Sequence, residues 1–452
     1  MIFYYTIYLL IIQVLATYTR FQQICFHVFC WNKTGTESPQ KNLELLFLCQ
    51  ISKTEETFYS LSMYLFVLGR NVPLSLAELK PYGDPVFCDE ELSLLLLEQP
   101  KIPNPRELPK IPEQVLLDRL GGTIRIAEVI GEYFETEKLL TAIKSQILAS
   151  RKEGYTFSLG LTGYELSTRA VSAWAQELKQ YFQDQDQKIR LVNPDGEPLT
   201  SGRIFQDKVL KKGTEFIIWR NKNSFLLAKT AANQNLRNYE LRDRKKAFRD
   251  AKMGMLPPKL AQILVNLATE GSEDGSVIDP FCGSATINIE AGLMGYKTFG
   301  SDLNPEFVEK AEENFRQMAE KFRYDPETGT FAASNVLGLD WGSQEGVVAT
   351  EGWLGENFVE SPDSRQIDEN KQTILKLWED IFKSIKDAPI TRLAFCLPAW
   401  NYKGKKISIS EEVLRAAVGA GFTVQPLSEK NETLFYERDK TFVAREICVV
   451  AR

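Results

Sequence analysis

Two aspartates separated by a glycine-containing turn are the residues of this chain best suited to chemistry. The stretch Asp279-Pro280-Phe281-Cys282-Gly283-Ser284-Ala285 follows the apolar pair Val277-Ile278, and Asp302 stands 23 residues after Asp279. Gly283, with the small Ser284 and Ala285, allows a ligand to approach the backbone closely. A phosphate site would favour three glycines and a free helix N-terminus. Here an aspartate opens the turn, and a carboxylate repels a pyrophosphate. The pattern suits a cationic ligand such as S-adenosylmethionine, with Asp302 placed to accept hydrogen bonds from ribose hydroxyls.

The elements that must position these residues follow from hydrophobic pattern. The sequence predicts a strand over 276–279, a helix over 285–294 stopped by Gly295, and a strand over 298–302. This is the start of a doubly wound α/β sheet, in which ligands sit at the carboxyl ends of the strands. A helix over 305–322, a strand over 330–333 and Asn335 come next. Asn335 can accept from an amino group and donate to a ring nitrogen, as recognition of an adenine edge requires. A fourth strand, 346–350, runs into Glu351-Gly352-Trp353-Leu354-Gly355. A helix over 370–386, a strand over 392–397, a helix over 411–420 and strands over 423–425 and 445–450 complete a seven-stranded Rossmann-like pattern.

Composition narrows the chemistry. A chain of 452 residues has room for two or three domains. Its net charge of −6 argues against a generic polyanion binder. Cys25, Cys30, Cys49, Cys88, Cys282, Cys396 and Cys448 form no CxxC pair, which fits a reducing compartment, a cytoplasmic location and no metal. The single histidine, His27, leaves little scope for triads or histidine acid–base catalysis. The apolar run within residues 2–16 is short for a membrane span of ~20 residues. Residues 1–62 differ in character from the rest and read as a membrane anchor, a signal-like segment or translated sequence upstream of a natural start at Met63, the last being the preferred expectation. No membrane partner is expected.

Against the acidic whole, residues 220–259 hold 11 Lys and Arg and three acids, Glu240, Asp243 and Asp250. Arg242, Arg244, Lys245, Lys246, Arg249 and Lys252, with Trp219, Phe225, Tyr239 and Phe248 nearby, are the candidates for phosphate contact and base stacking on RNA. Upstream, residues 63–149 read as an α+β, ferredoxin-like unit. Residues 150–231 read as a second α+β unit with a hairpin about Arg220-Asn221-Lys222-Asn223. A basic linker, 232–252, and a catalytic domain, 253–452, complete the expected organisation.

The turn Asp279-Pro280-Phe281-Cys282-Gly283-Ser284 resembles the cofactor turn of THUMP-domain tRNA guanosine-N2 methyltransferases. Arg242-Asp243, Arg249-Asp250 and Gly254-Met255-Leu256-Pro257-Pro258-Lys259-Leu260-Ala261 are similar to that family's lead-in to its catalytic domain. So are Tyr436-Glu437-Arg438 and Arg445-Glu446-Ile447 near the C-terminus. The resemblance spans about 63–452 and is strongest over 240–305. It implies a seven-stranded methyltransferase domain with S-adenosylmethionine as cofactor, tRNA as partner and a THUMP-like RNA-binding unit over 150–231. The expected activity is methylation of a guanosine N2 amino group in tRNA; whether an activator subunit takes part is not given by the sequence. Two departures stand out. Ala285 replaces the family's usual glycine, and the target-base motif Asp/Asn-Pro-Pro-Tyr has lost both prolines, leaving at the end of strand four Glu351, which the resemblance implies holds an exocyclic amino group, and Trp353, which it implies stacks on a flipped base. Cys396-Leu397-Pro398-Ala399-Trp400 looks like that motif but ends strand five, with Trp400 and Asn401 near the same mouth. The departures keep open a catalytically inactive RNA-binding protein with the same fold; the family's target-base motif, shared with DNA adenine-N6 methyltransferases, keeps such an enzyme as a further alternative, against which the THUMP-like half argues.

Overall fold

The computed structural model describes residues 63–98, 100, 112–152, 154–248, 255–272, 275–356, 358, 360–437 and 441–452. The expected leader, 1–62, lies outside the described residues. Two sheets within one compact unit carry the fold.

The first sheet contains β1 (Met63–Leu68), β2 (Pro85–Asp89), β3 (Leu94–Glu98), β4 (Thr123–Tyr133), β5 (Phe157–Tyr164), β6 (Ile189–Leu191), β7 (Gly213–Asn221) and β8 (Ser224–Asn233). Its order is β2-β3-β1-β4-β8-β7-β5-β6. β7 and β8 form the expected hairpin, and Lys222 takes the left-handed turn conformation at φ 46°. β4 pairs with β8, so strands from both sides of the expected 149/150 boundary share one sheet. Helices α3 (Thr136–Ser150) and α4 (Thr168–Gln183) pack Leu139, Ile143, Ile147, Val171, Leu178 and Phe182 on this sheet. That spacing is the one-sided apolar stripe of an amphipathic helix. Beneath the strands, Glu215 is fully buried and ion-paired with Arg125; Thr162 and Thr230 donate to its carboxylate.

The second sheet follows the expected pattern. β9 (Ser276–Asp279), β10 (Lys297–Asp302), β11 (Gly329–Ala333), β12 (Gly346–Thr350), β13 (Ile390–Tyr402), β15 (Thr423–Val424) and β17 (Val443–Ala451) lie in the order β11-β10-β9-β12-β13-β17-β15. β14 (Lys405–Ile407) and β16 (Leu434–Tyr436) add short antiparallel edges. The strand order reverses between β9 and β12, and β17 is antiparallel to β13. Buried Val277, Ile278, Val348, Ala349, Leu393, Ala394 and Phe395 give the near-continuous apolar strands that a sheet covered on both faces requires. One face carries α8 (Pro258–Thr269) and α9 (Thr286–Leu293). On the other, α11 (Ser364–Ser384) and α12 (Ser410–Gly419) pack Trp378, Phe382 and Leu414 against Phe395. α11 starts with a capping box made by Asp363 and Gln366. Among the described residues, no helix is long and apolar enough to cross a membrane.

The two sheets are joined through buried polar contacts. Glu78, in α1 (Val72–Leu79), accepts from the Gly121 and Gly122 N–H groups at 2.8 Å each. It also accepts from Asn266 of α8 at 2.7 Å. Arg119, at the end of α2 (Pro112–Arg119), donates to the Met294 carbonyl and the Tyr296 hydroxyl. Gly121 has no room for a side chain, because a Cβ there would stand 2.0 Å from the Lys259 carbonyl oxygen. Burial pushes the Glu78 carboxyl up to about 7, against the lowering effect of its three donors.

Glu78→Ala is expected to destabilise the protein by at least about 2 kcal/mol in urea unfolding, because it orphans buried donors. The pH dependence follows from the raised pKa. The proton held on folded Glu78 stabilises the protein fully below the ordinary glutamate value near ~4.3, and that contribution is lost as pH rises through about 7. Glu78→Gln should therefore flatten the fall in thermal stability between pH 5 and 7.5, measured by calorimetry.

Candidate functional site

The carboxyl edge of the second sheet, on either side of the β9/β12 switch point, gathers most of the expected site residues. Asp279 ends β9 and is buried. Its Oδ1 accepts from the Thr350 hydroxyl of β12 at 2.7 Å and from the Phe281 N–H at 3.2 Å. Burial pushes its carboxyl up to about 7; the Thr350 and Phe281 donors pull it down, while the negative charges of Asp302 and Glu351 add to the rise. Across the turn, the Gly283 N–H donates to Asp302 Oδ2 at 3.1 Å and the Asn304 N–H to Oδ1 at 3.0 Å. The Cys282 N–H donates to the Ser301 carbonyl at 2.8 Å. The turn is thereby tied to the ends of β9 and β10. Cys282 is buried, and that burial raises its thiol well above the ordinary cysteine value, which keeps it protonated.

Gly283 and Ala285 both take positive φ, 49° and 61°. A left-handed alanine costs about 1 kcal/mol. The Ala285 methyl is fully buried in a cluster with Cys282, Ile289, Ala311, Phe315 and Met318. Burying a methyl contributes a similar amount. The left-handed alanine is thus locally compensated.

Asp302 is half-buried at the end of β10, and Asn335 lies just beyond β11. The Ser334 N–H donates to the Asp302 carbonyl at 3.0 Å, bringing these two strand ends together. Asn335 is exposed, and its Oδ1 accepts from the Leu337 N–H. Glu351 follows β12 directly and is partly buried, with Arg445 Nε of β17 donating to its Oε1. Trp353 is 38% exposed beside it in sequence. Between them Gly352 adopts φ 67°, and its N–H donates to the Thr350 hydroxyl at 3.1 Å. Thr350 therefore links the cofactor-type turn to the Glu351–Trp353 segment. Trp400 is not at this mouth: it is fully buried inside β13, in the core that includes Trp378 and Phe395. Its position is fixed because β13 continues past Leu397, pairing Pro398 with Arg445 and Ala399 with Ala444. Asn401 is exposed.

The basic segment is divided by the structure. Arg242, near the end of α7 (Leu236–Arg244), is buried and ion-paired at 3.0 Å with the fully buried Glu290 of α9. Burial pushes Glu290 up to about 7, while the charges of Arg242 and Lys246 pull it down. Lys246 is also buried and donates to the Thr286 hydroxyl at 2.6 Å. These two cations face the helix that follows the turn, and the expectation that they contact RNA phosphates is corrected. A buried carboxylate needs a partner, and Glu290 draws Arg242 inward. Arg244 and Lys245 are exposed. Arg249, Lys252 and Arg438 lie outside the described residues. The aromatic candidates are similarly engaged: Trp219 is buried against Phe87, Phe225 packs on Trp174, Tyr239 lies under Arg242, and Phe248 packs on Phe307. Asn314 of α10 (Pro305–Phe322) accepts from the Phe248 N–H and donates to the Phe248 and Ser284 carbonyls. The basic segment is thus strapped to the turn.

The sequence alone pointed to no role for Thr350, Thr286 or Arg445. For Arg445 a signal existed, since a lone arginine in the apolar strand Val443–Ala451 requires a partner.

Residues 242–325 match the family model of the RMKL-like methyltransferase domain. The tRNA (guanine(10)-N2)-dimethyltransferase of Methanothermobacter thermautotrophicus is 44% identical over 63 residues, 14% of this chain and 18% of that protein. The enzyme of the same name from Pyrococcus abyssi is 41% identical over 66 residues, 15% of this chain and 19% of that protein. The chain thus aligns with less than a fifth of the length of these curated relatives. Among solved structures, TrmN from Thermus thermophilus is 16% identical, with 86% of this chain and 99% of that chain covered and a TM-score of 0.47.

Thr350→Val keeps shape but removes the hydroxyl that donates to Asp279. A loss of about 1–3 kcal/mol is expected in chemical denaturation, from a buried carboxyl left with one donor fewer. Thr350→Ser should recover most of it.

Proposed function

We propose that this protein is an S-adenosylmethionine-dependent RNA methyltransferase that acts on tRNA, at the N2 amino group of a guanosine. The observation that carries the reading is the joined pair of carboxylates, Asp279 and Asp302, held at the switch point by Thr350, Gly283 and the ends of β9 and β10. The donor set fits the cofactor in chemistry: acids for a ligand bearing an ammonium and a sulfonium, a half-buried aspartate for ribose hydroxyls, and a glycine turn for close approach. Asp279 through Ala285, Asp302 and Asn335 would hold it. When bound, S-adenosylmethionine supplies an electrophilic methyl group. The chain's own contribution is positioning: Glu351 holds the amino group of the target base, Trp353 offers a stacking face, and the buried β12–β13 edge excludes water behind them.

The match over residues 242–325 and the names of the aligned relatives support the same reading. The first sheet, with its THUMP-like part over 150–231, is the RNA-docking half in this proposal, and exposed Arg244 and Lys245 remain its candidate phosphate contacts. Methyl transfer needs no histidine, and the chain holds one, His27. A cytoplasmic location accords with a tRNA substrate. The second reading, a non-catalytic RNA-binding protein, is favoured by one observation: Glu351 is already engaged by Arg445, where the resembled family has an Asp/Asn-Pro-Pro-Tyr motif.

Transfer of labelled methyl to unmodified bulk tRNA tests the proposal. Wild type should label guanosine; Glu351→Ala should lose label by roughly 100-fold or more while retaining cofactor affinity. Asp302→Ala should weaken S-adenosylmethionine binding by roughly tenfold in calorimetry, the order expected for lost charge-assisted hydrogen bonds. Cofactor binding without transfer would favour the second reading, and label in duplex DNA adenine would replace both. Because Asp279 is protonated below about 7 and anionic above it, affinity for the cationic cofactor should rise with pH. The gain between pH 6 and 8 should approach about tenfold, and Asp279→Asn should abolish it.

A further inference from the structure

The pairing of Glu351 with Arg445 is more specific than an acid placed to catch an amino group. Arg445 enters from the antiparallel β17, opposite Pro398 of β13, and donates through Nε to Glu351 Oε1. The side chains are 12% and 19% exposed, so the pair is largely desolvated yet open to the carboxyl edge. Such pairs seldom add net stability, because desolvation offsets their attraction. A guanidinium fixed beside a carboxylate has a different property: it presents donors next to acceptors in one rigid array.

Resting on the methyltransferase reading above, we infer that Arg445 is a specificity-determining residue which, with Glu351, reads the Watson–Crick edge of guanine. Guanine presents O6 as an acceptor followed by N1–H and the N2 amino group as donors. The Arg445 nitrogens not used toward Glu351 donate to O6, and the carboxylate accepts from N1–H and from one N2–H. A carboxylate offers about four lone-pair sites across its two oxygens. Adenine presents an amino group and then a bare ring nitrogen, so each array position would meet its like. Cytosine fails in the same way, and uracil has no amino group to receive a methyl. Gly352, at φ 67°, turns the chain between the reading pair and the exposed Trp353.

Nucleoside mapping of the wild-type product identifies the modified position. A ligated tRNA carrying 2,6-diaminopurine riboside at that position then keeps the N2 amino group but offers an amino group in place of O6 and a bare N1. Wild type should prefer guanosine in kcat/KM by roughly 10- to 100-fold. Arg445→Gln should narrow that preference at least tenfold, with S-adenosylmethionine affinity unchanged. An equal loss on both substrates, or an unchanged preference, would overturn the inference and leave Arg445 a purely structural partner. If Arg445→Gln does not fold, Arg445→Lys takes its place: it keeps the charge but not the fork, and an undiminished preference for guanosine would overturn the inference. A wild-type protein that binds the cofactor but methylates no tRNA would instead defeat the underlying methyltransferase reading.

Discussion

The hydrogen bond from the Thr350 hydroxyl to Asp279 is the contact on which the rest of the site depends. It crosses from β12 to β9 where the strand order reverses, and it is buried. A parallel sheet opens at such a point, because neighbouring crossovers leave in opposite directions. Asp279 brings a carboxylate into that opening at considerable desolvation cost, and its raised pKa registers that cost. The same Thr350 oxygen accepts from the Gly352 N–H, so one side chain sets both the acid of the turn and the path of the segment bearing Glu351 and Trp353.

Around this contact the protein uses buried polar pairs as fasteners. Glu78 joins α1, the Gly121-Gly122 loop and α8, uniting the two sheets. Glu290 with Arg242, and Lys246 with Thr286, fasten the segment between the sheets to the helix that follows the turn. Asn314 holds that segment and the turn with one amide. Removal of either partner from such contacts is costly, whereas the complete contact contributes modestly. Their shared effect is geometric: the chain that leaves the first sheet cannot move independently of the cofactor-type turn.

Local signals in the sequence were sufficient for the seven main strands of the second sheet, but not for its short edge strands β14 and β16. Apolar runs of strand length, the Gly295 stop and the amphipathic 305–322 segment determined its elements in order, and the turn Asp279–Ala285 with Asp302 was legible because close approach and acidity are properties of residue type. The joining of 63–149 with 150–231 in one sheet was not legible. The β4–β8 pairing links segments distant in the chain, and neither strand's pattern specifies its neighbour.

The sequence by itself determined the α/β class, the site's chemical character and the place of Glu351 and Trp353 at the end of strand four, since these depend on periodicity and on functional groups. Only the tertiary structure decided which charges face solvent and which are consumed inside. Arg242 and Lys246 read as surface cations beside Arg244 and Lys245, yet Glu290 and Thr286 draw the first two inward. Trp400 read as part of a mouth, yet the continuation of β13 against β17 places it in the core. Arg445 reached its partner Glu351 across β13 through strand order alone. The physical reason is common to all three: charge and aromaticity are local properties, whereas burial and pairing are settled by contacts between residues far apart in the chain.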